Sequence, residues 1–324
     1  MMRHVEAPST EQLEAATRVI ADHLVATPTV TLRLRGRPVL AKLECLQITG
    51  SFKIRGALAA IDAAHRDDPH GAVITSSAGN HGLGIAHAAS ILHVPATVVV
   101  PANASAAKVR KLRNYDIELI QFGLSYDEAQ AHALELADAR SIRYISPFND
   151  TNVIAGQVTV FHEMLTQAPE IEHVVVPVGG GGLVSGVLLA RAAHARLDVR
   201  VTGVQPEASA AMYHVLRGTA MDDVRHRPTI ADGLAGGGDA GAVTNGLIAT
   251  HEVPLVLVDE HMIRQGVREA AESNGVVLEG SAATPYAAIV RGLVGDEDSR
   301  IGFIASGRNI SHELLVELLG EPLD

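Results

Sequence analysis

The chain has 324 residues, 47% of them hydrophobic and only 19% charged, the composition of a compact folded protein rather than a disordered one. With 26 Lys plus Arg against 37 acidic residues, its formal net charge of −11 lacks the basic footprint of a general nucleic-acid binder. The single cysteine, Cys45, excludes an intramolecular disulfide framework and a multi-cysteine zinc site, so a reducing, cytoplasmic setting is expected.

From the N-terminus, residues 1–8 lack the apolar core of a secretory signal, and no later uncharged run is long enough to span a bilayer, so no membrane association is expected. Apolar runs that suit buried strands then recur at 71–75, 96–100, 117–122, 173–178, 201–204, 255–258 and 300–305. Alanine-rich stretches between them predict helices, among them 127–140 behind the capping candidate Ser125 and 185–195 behind a glycine run. Strands alternating with helices imply an α/β protein with mainly parallel sheets covered on both faces. One alternating set runs from 72 to 146 and another from 147 onward, with Ser146-Pro147-Phe148-Asn149-Asp150 as the junction. Residues 235–241, rich in glycine, predict a flexible loop, either a mobile lid or a spacer. The 16 histidines are scattered, and His162-Glu163-Met164-Leu165-Thr166 lacks the second histidine of a helical zinc pair, so no metal site is expected.

The residues that carry chemistry begin with Lys53, inside Gly50-Ser51-Phe52-Lys53-Ile54-Arg55-Gly56-Ala57. A lysine in such an apolar stretch is paired, snorkels to solvent, or is neutral with a lowered pKa, and the neutral amine is a nucleophile for carbonyl groups. The plainer reading is a helix-face lysine beside Arg55 on a solvated surface. Four consecutive glycines, Gly179, Gly180, Gly181 and Gly182, follow a hydrophobic run and open an apolar helix. Their amides and the positive helix end suit one phosphate, although a simple connecting turn has the same composition. No P-loop lysine and no Gly-x-Gly-x-x-Gly register are present, which argues against a nucleotide or dinucleotide site. Thr75-Ser76-Ser77-Ala78-Gly79-Asn80-His81-Gly82, again at a strand-to-helix passage, offers hydroxyls, an amide and helix-start amides to a carboxylate or a ring oxygen, or caps a helix. In Ile304-Ala305-Ser306-Gly307-Arg308-Asn309, Ser306 is placed either to meet a ring nitrogen or merely to turn the chain.

Read together and in this order, the segments resemble the fold-type-II pyridoxal-phosphate enzymes, in particular the threonine/serine dehydratase and serine racemase family. The resemblance extends to Thr27-Pro28, Lys42-Leu43-Glu44-Cys45-Leu46-Gln47, Val153-Ile154-Ala155-Gly156-Gln157, Ile230-Ala231-Asp232-Gly233 and Val276-Val277-Leu278-Glu279, and so to nearly the whole chain. It implies a tryptophan synthase beta-like fold of two open, mainly parallel-sheet domains with pyridoxal 5'-phosphate between them. Residues 1–71 and 147–324 would form the large cofactor-binding domain, and 72–146 a small domain closing over the substrate. It also implies Lys53 as the Schiff-base lysine, Phe52 beside the ring, Asn80 on the ring hydroxyl, Gly179 to Gly182 with Leu183 around the phosphate, and Ser306 at the pyridine nitrogen. Ser77, Asn80 and His81 would receive the substrate carboxylate, the last two partly through backbone amides. Gly233 would line the substrate pocket with Phe148, Leu234 and Ala235, and Glu279 would be either structural or ring-facing. A homodimer is expected.

The implied reaction is β-elimination of a 3-hydroxy amino acid such as L-threonine or L-serine to a 2-oxo acid and ammonia, with Lys53 as general base. The family's racemases carry a serine as second base where this chain has Ala78, which disfavours racemisation. Its cation-binding members carry carboxylates where Gln205 and Ala211 stand, leaving only Glu207 nearby. Cys45 replaces a usual asparagine without an evident consequence. The stretch after Ser306 is too short for the regulatory domain of biosynthetic threonine dehydratases, so feedback control is not expected. A serine/aspartate-type racemase, a 3-hydroxyaspartate dehydratase, a β-replacement synthase and a non-catalytic ligand-binding α/β protein remain as alternatives.

Overall fold

The computed structural model describes residues 5–236, 238–239, 241–295 and 299–321; Gly237 and Ala240 of the predicted flexible loop, with 1–4, lie outside the described residues. In chain order the strands are β1 (Thr29–Leu34), β2 (Arg37–Lys42), β3 (Val73–Ser76), β4 (Ala96–Val100), β5 (Glu118–Gln121), β6 (Arg143–Tyr144), β7 (His173–Pro177), β8 (Arg200–Pro206), β9 (Leu255–Val258) and β10 (Ile301–Ile304). The helices are α1 (Thr10–His23), α2 (Lys53–Asp67), α3 (Asn80–Leu92), α4 (Ala106–Leu112), α5 (Tyr126–Arg140), α6 (Thr151–Gln167), α7 (Gly182–Ala193), α8 (Ala211–Val215), α9 (Val243–Thr250), α10 (Glu260–Asn274), α11 (Gly280–Val290) and α12 (His312–Leu319). Their starts are written locally. Ser9 forms a capping box with Gln12, and Ser125, Asp150, Asp259 and Ser311 each accept a hydrogen bond from an amide of the first turn.

Two sheets result, a large one in the order β1-β2-β10-β7-β8-β9 and a small one in the order β5-β4-β3-β6. Every pairing within them is parallel except β1 with β2. Central strands such as β4 and β7 are buried along their whole length, because helices cover both faces. On the small sheet, α5 presents Ala129, Ala133 and Ala137 to one face, while α2 and α3 share an apolar cluster with β3 and β4 on the other. The chain leaves β3 toward β4 on one side with β6 on the other, and leaves β7 toward β8 with β10 on the other. Ligand crevices in open parallel sheets lie at the carboxyl ends of strands where the order reverses in this way. The 77–80 segment follows β3 and the glycine run follows β7, so each motif occupies one such reversal.

Several features depart from the expectations, the short strand β6 among them. Residues 29–42 form an antiparallel hairpin that no uninterrupted apolar run announces. Its turn, Arg35-Gly36, has φ of 48° and 84°, the left-handed pair of a tight type I′ turn. The helix behind the glycine run begins at Gly182 rather than 185, because its first turn includes the end of the run itself. Arg55, expected beside solvent in the plainer reading, is fully buried. Among the described residues no helix is long and apolar enough to cross a membrane.

Candidate active site

Two stretches distant in sequence are zipped together to make the floor of the site. Phe52 N donates to Ser306 O at 3.0 Å, Arg308 N to Gly50 O at 2.9 Å, and Asn309 Nδ2 to Thr49 O at 2.9 Å. Gly50 has φ +77°, and a Cβ there would come within 2.9 Å of Asn309 Oδ1, so the close strap requires glycine. The strap holds Lys53, the first residue of α2, one residue beyond the bond between Phe52 and buried Ser306. Lys53 Nζ donates to Pro147 O at 2.7 Å and lies 5.3 Å from the centroid of the Phe52 ring. Burial of the amine pulls its pKa down to about 8, only partly opposed by the Glu279 carboxylate.

Phe148, next to Pro147, carries the wall on to the glycine run. A Cβ on Gly180 would lie 2.3 Å from Phe148 Cγ, and one on Gly182 3.2 Å from Phe148 Cα. Gly181 adopts φ +86° as the N-cap of the 12-residue helix α7, and Thr244 Oγ1 donates to Gly180 O at 2.8 Å. The run is therefore pressed between Phe148 and α9 with its amides at a positive helix end, and Leu183 is buried behind it. Gly180→Ala is expected to displace Phe148, destabilising the fold by about 1–3 kcal/mol as overpacking does. It should also weaken anion binding at the run; urea unfolding and titration with pyridoxal phosphate check the two effects.

From β3, Ser77 Oγ accepts from Gly79 N at 3.2 Å and Asn80 opens α3. Asn80 Nδ2 donates to Glu279 Oε1 at 2.7 Å, and Asn80 Oδ1 accepts from Asn309 Nδ2 at 2.7 Å. The His81 ring is turned toward Ile145 O at 3.4 Å, and burial together with the nearby Lys53 amine pushes its pKa down to about 3. Its imidazole is thus held neutral. Glu279, left open between two roles by the sequence, sits at the centre of these contacts. It takes the Asn80 amide and the Asn309 N–H, and a Cβ on Gly233 would stand 3.8 Å from it. Burial and the carboxylate of Asp232 raise its pKa to about 7. Gly233 N donates to Ser281 Oγ at 2.9 Å, and Leu234 lies against Gly179, which closes the ring of residues.

A family model described as "Pyridoxal-phosphate dependent enzyme" matches residues 20–307. The chain belongs to the pyridoxal-phosphate-dependent enzyme family. An L-threonine ammonia-lyase of Thermotoga maritima is 36% identical over 92% of this chain and 74% of its own length. A serine racemase of Oryza sativa subsp. indica is 31% identical over 98% of this chain and 95% of its own. Among solved structures, an aspartate racemase dependent on pyridoxal 5'-phosphate superposes with TM-score 0.86 at 29% identity, covering 97% of this chain and 99% of that one. The processed form of a threonine deaminase from Solanum lycopersicum gives TM-score 0.82 at 29% identity, covering 99% and 92%. The α/β architecture of two parallel-rich sheets is that of this fold-type-II family, and the chain is a pyridoxal-phosphate-dependent enzyme of the group that holds threonine ammonia-lyases and serine racemases.

The residues present fit pyridoxal phosphate on their own chemistry. They combine a buried amine with lowered pKa, a backbone cradle that any Cβ would fill, and a buried neutral hydroxyl, Ser306, whose backbone is strapped to Phe52 next to the lysine. The sites considered for a cation are occupied otherwise. Gln205 braces the backbone, donating to Val178 O at 3.1 Å and accepting from Tyr213 N at 2.7 Å, and Glu207 lies 3.5 Å from Arg227. Among the described residues no three His, Cys, Asp or Glu side chains gather to hold a metal ion.

Sequence reasoning overlooked a buried ionic cluster beneath Lys53. Arg55 donates two bonds of 2.8 Å to Glu44 and two of 2.7 Å to Glu163, whose Oε2 also takes Lys42 Nζ at 2.6 Å. A usable signal existed: residues 54–61 of α2 are apolar on all sides, which leaves Arg55 no solvated face.

Proposed function

We propose that this enzyme removes the hydroxyl and amino groups of a 3-hydroxy amino acid such as L-threonine or L-serine, giving a 2-oxo acid and ammonia. The observation that carries this reading is asymmetry of bases: Lys53 supplies a buried amine of lowered pKa, whereas Ala78, at the position of the racemases' second base, has nothing to exchange a proton with. Pyridoxal phosphate supplies an aldehyde for the Lys53 amine and an electron-withdrawing ring that stabilises negative charge at the substrate α-carbon. Lys53 takes the α-proton on Nζ, a role for which a pKa near 8 is well matched. Gly179, Gly180, Gly181, Gly182 and Leu183 hold the phosphate through backbone amides, and Asn80 and Ser306 meet the ring oxygen and the ring nitrogen. Ser306 offers a hydroxyl rather than a carboxylate, so it does not hold that nitrogen protonated, which favours prompt loss of the β-hydroxyl. Ser77 and the start of α3 at Asn80 and His81 orient the substrate carboxylate, with Phe148 and Gly233 beside its β-carbon. Residues 72–146 act as a small domain that closes over the substrate, against a cofactor domain of 1–71 and 147–324.

Racemisation is the second reading, favoured by the serine and aspartate racemases among the relatives. Incubation with L-serine, L-threonine and 3-hydroxyaspartate, following 2-oxo acid and D-isomer together, separates the two. Excess 2-oxo acid is expected; a dominant D-isomer would overturn the assignment.

A further inference from the structure

Asn309 has no role in the reading above, yet its side chain lies where three parts of the molecule meet. Its Oδ1 accepts from Lys111 Nζ of α4 at 2.9 Å. Its Nδ2 donates to Thr49 O at 2.9 Å, at the base of the Lys53 strap, and to Asn80 Oδ1 at 2.7 Å. Its backbone N donates to Glu279 Oε2 at 2.9 Å. The partners at the two ends dictate which way round the amides stand. An ammonium can only donate and a peptide carbonyl can only accept, so Asn309 must turn its oxygen to Lys111 and its NH₂ to Thr49. The Asn80 atom facing that NH₂ must then be Oδ1. Asn80 is left to direct its own NH₂ at Glu279, and its second N–H is free to serve as a donor.

We propose that Asn309 is a positioning residue that, held by Lys111 and Thr49, fixes Asn80 as a hydrogen-bond donor toward the oxygen of the bound cofactor ring. The inference rests on the reading that Asn80 faces that ring. Because Lys111 lies on α4, between β4 and β5 of the small sheet, the relay also ties the setting of Asn80 to the seating of that unit against residues 306–309. A second contact from α4, Lys108 Nζ to Asp232 Oδ2 at 2.5 Å, ties the same helix to the segment between β8 and β9.

The test uses the holoenzyme and a double-mutant cycle. Asn309→Asp keeps the size and the Lys111 contact but removes the NH₂, so Asn80 loses the partner that sets its orientation. Expected are a shifted visible absorption band of the bound cofactor and a fall in kcat of roughly five- to tenfold, the scale of one misdirected hydrogen bond. KM should change less, and the cofactor should still be trapped by borohydride. In an Asn80→Ala background Asn309→Asp should add little, because the two act as one unit. Lys111→Met, at an exposed position, should give a smaller shift of the same kind, also absent in the Asn80→Ala background. Additive effects in the cycle, or an unchanged band in both Asn309→Asp and Lys111→Met, would overturn the relay alone. An unchanged band in Asn80→Ala by itself would overturn the ring-facing role of Asn80, and the relay with it.

Discussion

Lys53→Ala is expected to lower turnover by roughly 10²–10⁴-fold or more, the range for losing a positioned proton-transfer group. It should also leave no cofactor covalently attached after borohydride reduction, whereas the wild-type adduct should map to the peptide containing residue 53. An unmodified peptide in the wild type would overturn the role given to Lys53. The fold should survive the substitution, because α2 is held by Ile54, Leu58 and Ile61, all fully buried, rather than by the amine. A stability measurement on cofactor-free protein sharpens the point. Folding lowers the Lys53 pKa from the ordinary 10.5 to about 8. Below pH 8 the amine is protonated in folded and unfolded chains alike, and the full penalty of burying the charge is present. Between about 8 and 10.5 the unfolded chain keeps a proton that the folded one has released, so stability rises with pH. A gap of that size corresponds to about 3 kcal/mol. Lys53→Met should therefore be more stable than wild type at pH 7 by up to about 3 kcal/mol, an advantage that vanishes above pH 10.5. Urea unfolding at pH 7 and pH 10 distinguishes this from a substitution that merely loosens the site.

Arg55→Met is expected to destabilise the protein by about 3–5 kcal/mol, although methionine fills much of the same volume. Lys42 and Arg55 balance Glu44 and Glu163 inside the protein, and removing one cation leaves two carboxylates facing each other with a single positive partner. Arg55 is held charged by these partners, and the contacts of Glu163 with Arg55 and Lys42 hold its pKa below the usual carboxylate range against the effect of burial. The Glu163 contribution is thus present above the ordinary carboxylate pKa and lost as pH falls through its lowered value. The cluster lies under the first turn of α2, so the variant should lose activity along with stability. Urea midpoints and kcat measured on the same preparation test this; a loss below about 1 kcal/mol would show that the cluster is not acting as a charge-balanced unit.

The parts of the site carried by backbone chemistry were legible in the sequence. Gly179 to Gly182 after a buried strand and Ser77 to Asn80 at a helix start each name a local conformation, and the structure places each at a reversal of strand order. The hairpin of 29–42 was less legible, because β1 is the edge strand of the large sheet and the two strands carry polar and charged residues among their apolar ones. Glu279 and Asn309 could not be read locally. Their partners Asn80, Lys111 and Thr49 lie 198 to 260 residues away in the chain, and a hydrogen bond across such a separation has no periodicity to announce it.

The sequence alone announced the α/β architecture, because hydrophobic period is a local property, and it marked Gly179 to Gly182 and Lys53 as candidates whose plainer readings were set aside by the resemblance of the whole set of motifs. Tertiary structure alone decided that the Lys53 amine is desolvated, that Arg55 is buried in a neutral cluster, and that Glu279 and Asn309 hydrogen-bond Asn80. Each of these is an electrostatic outcome of how far a group lies from water and which charges stand beside it, and those distances exist only once the chain has folded.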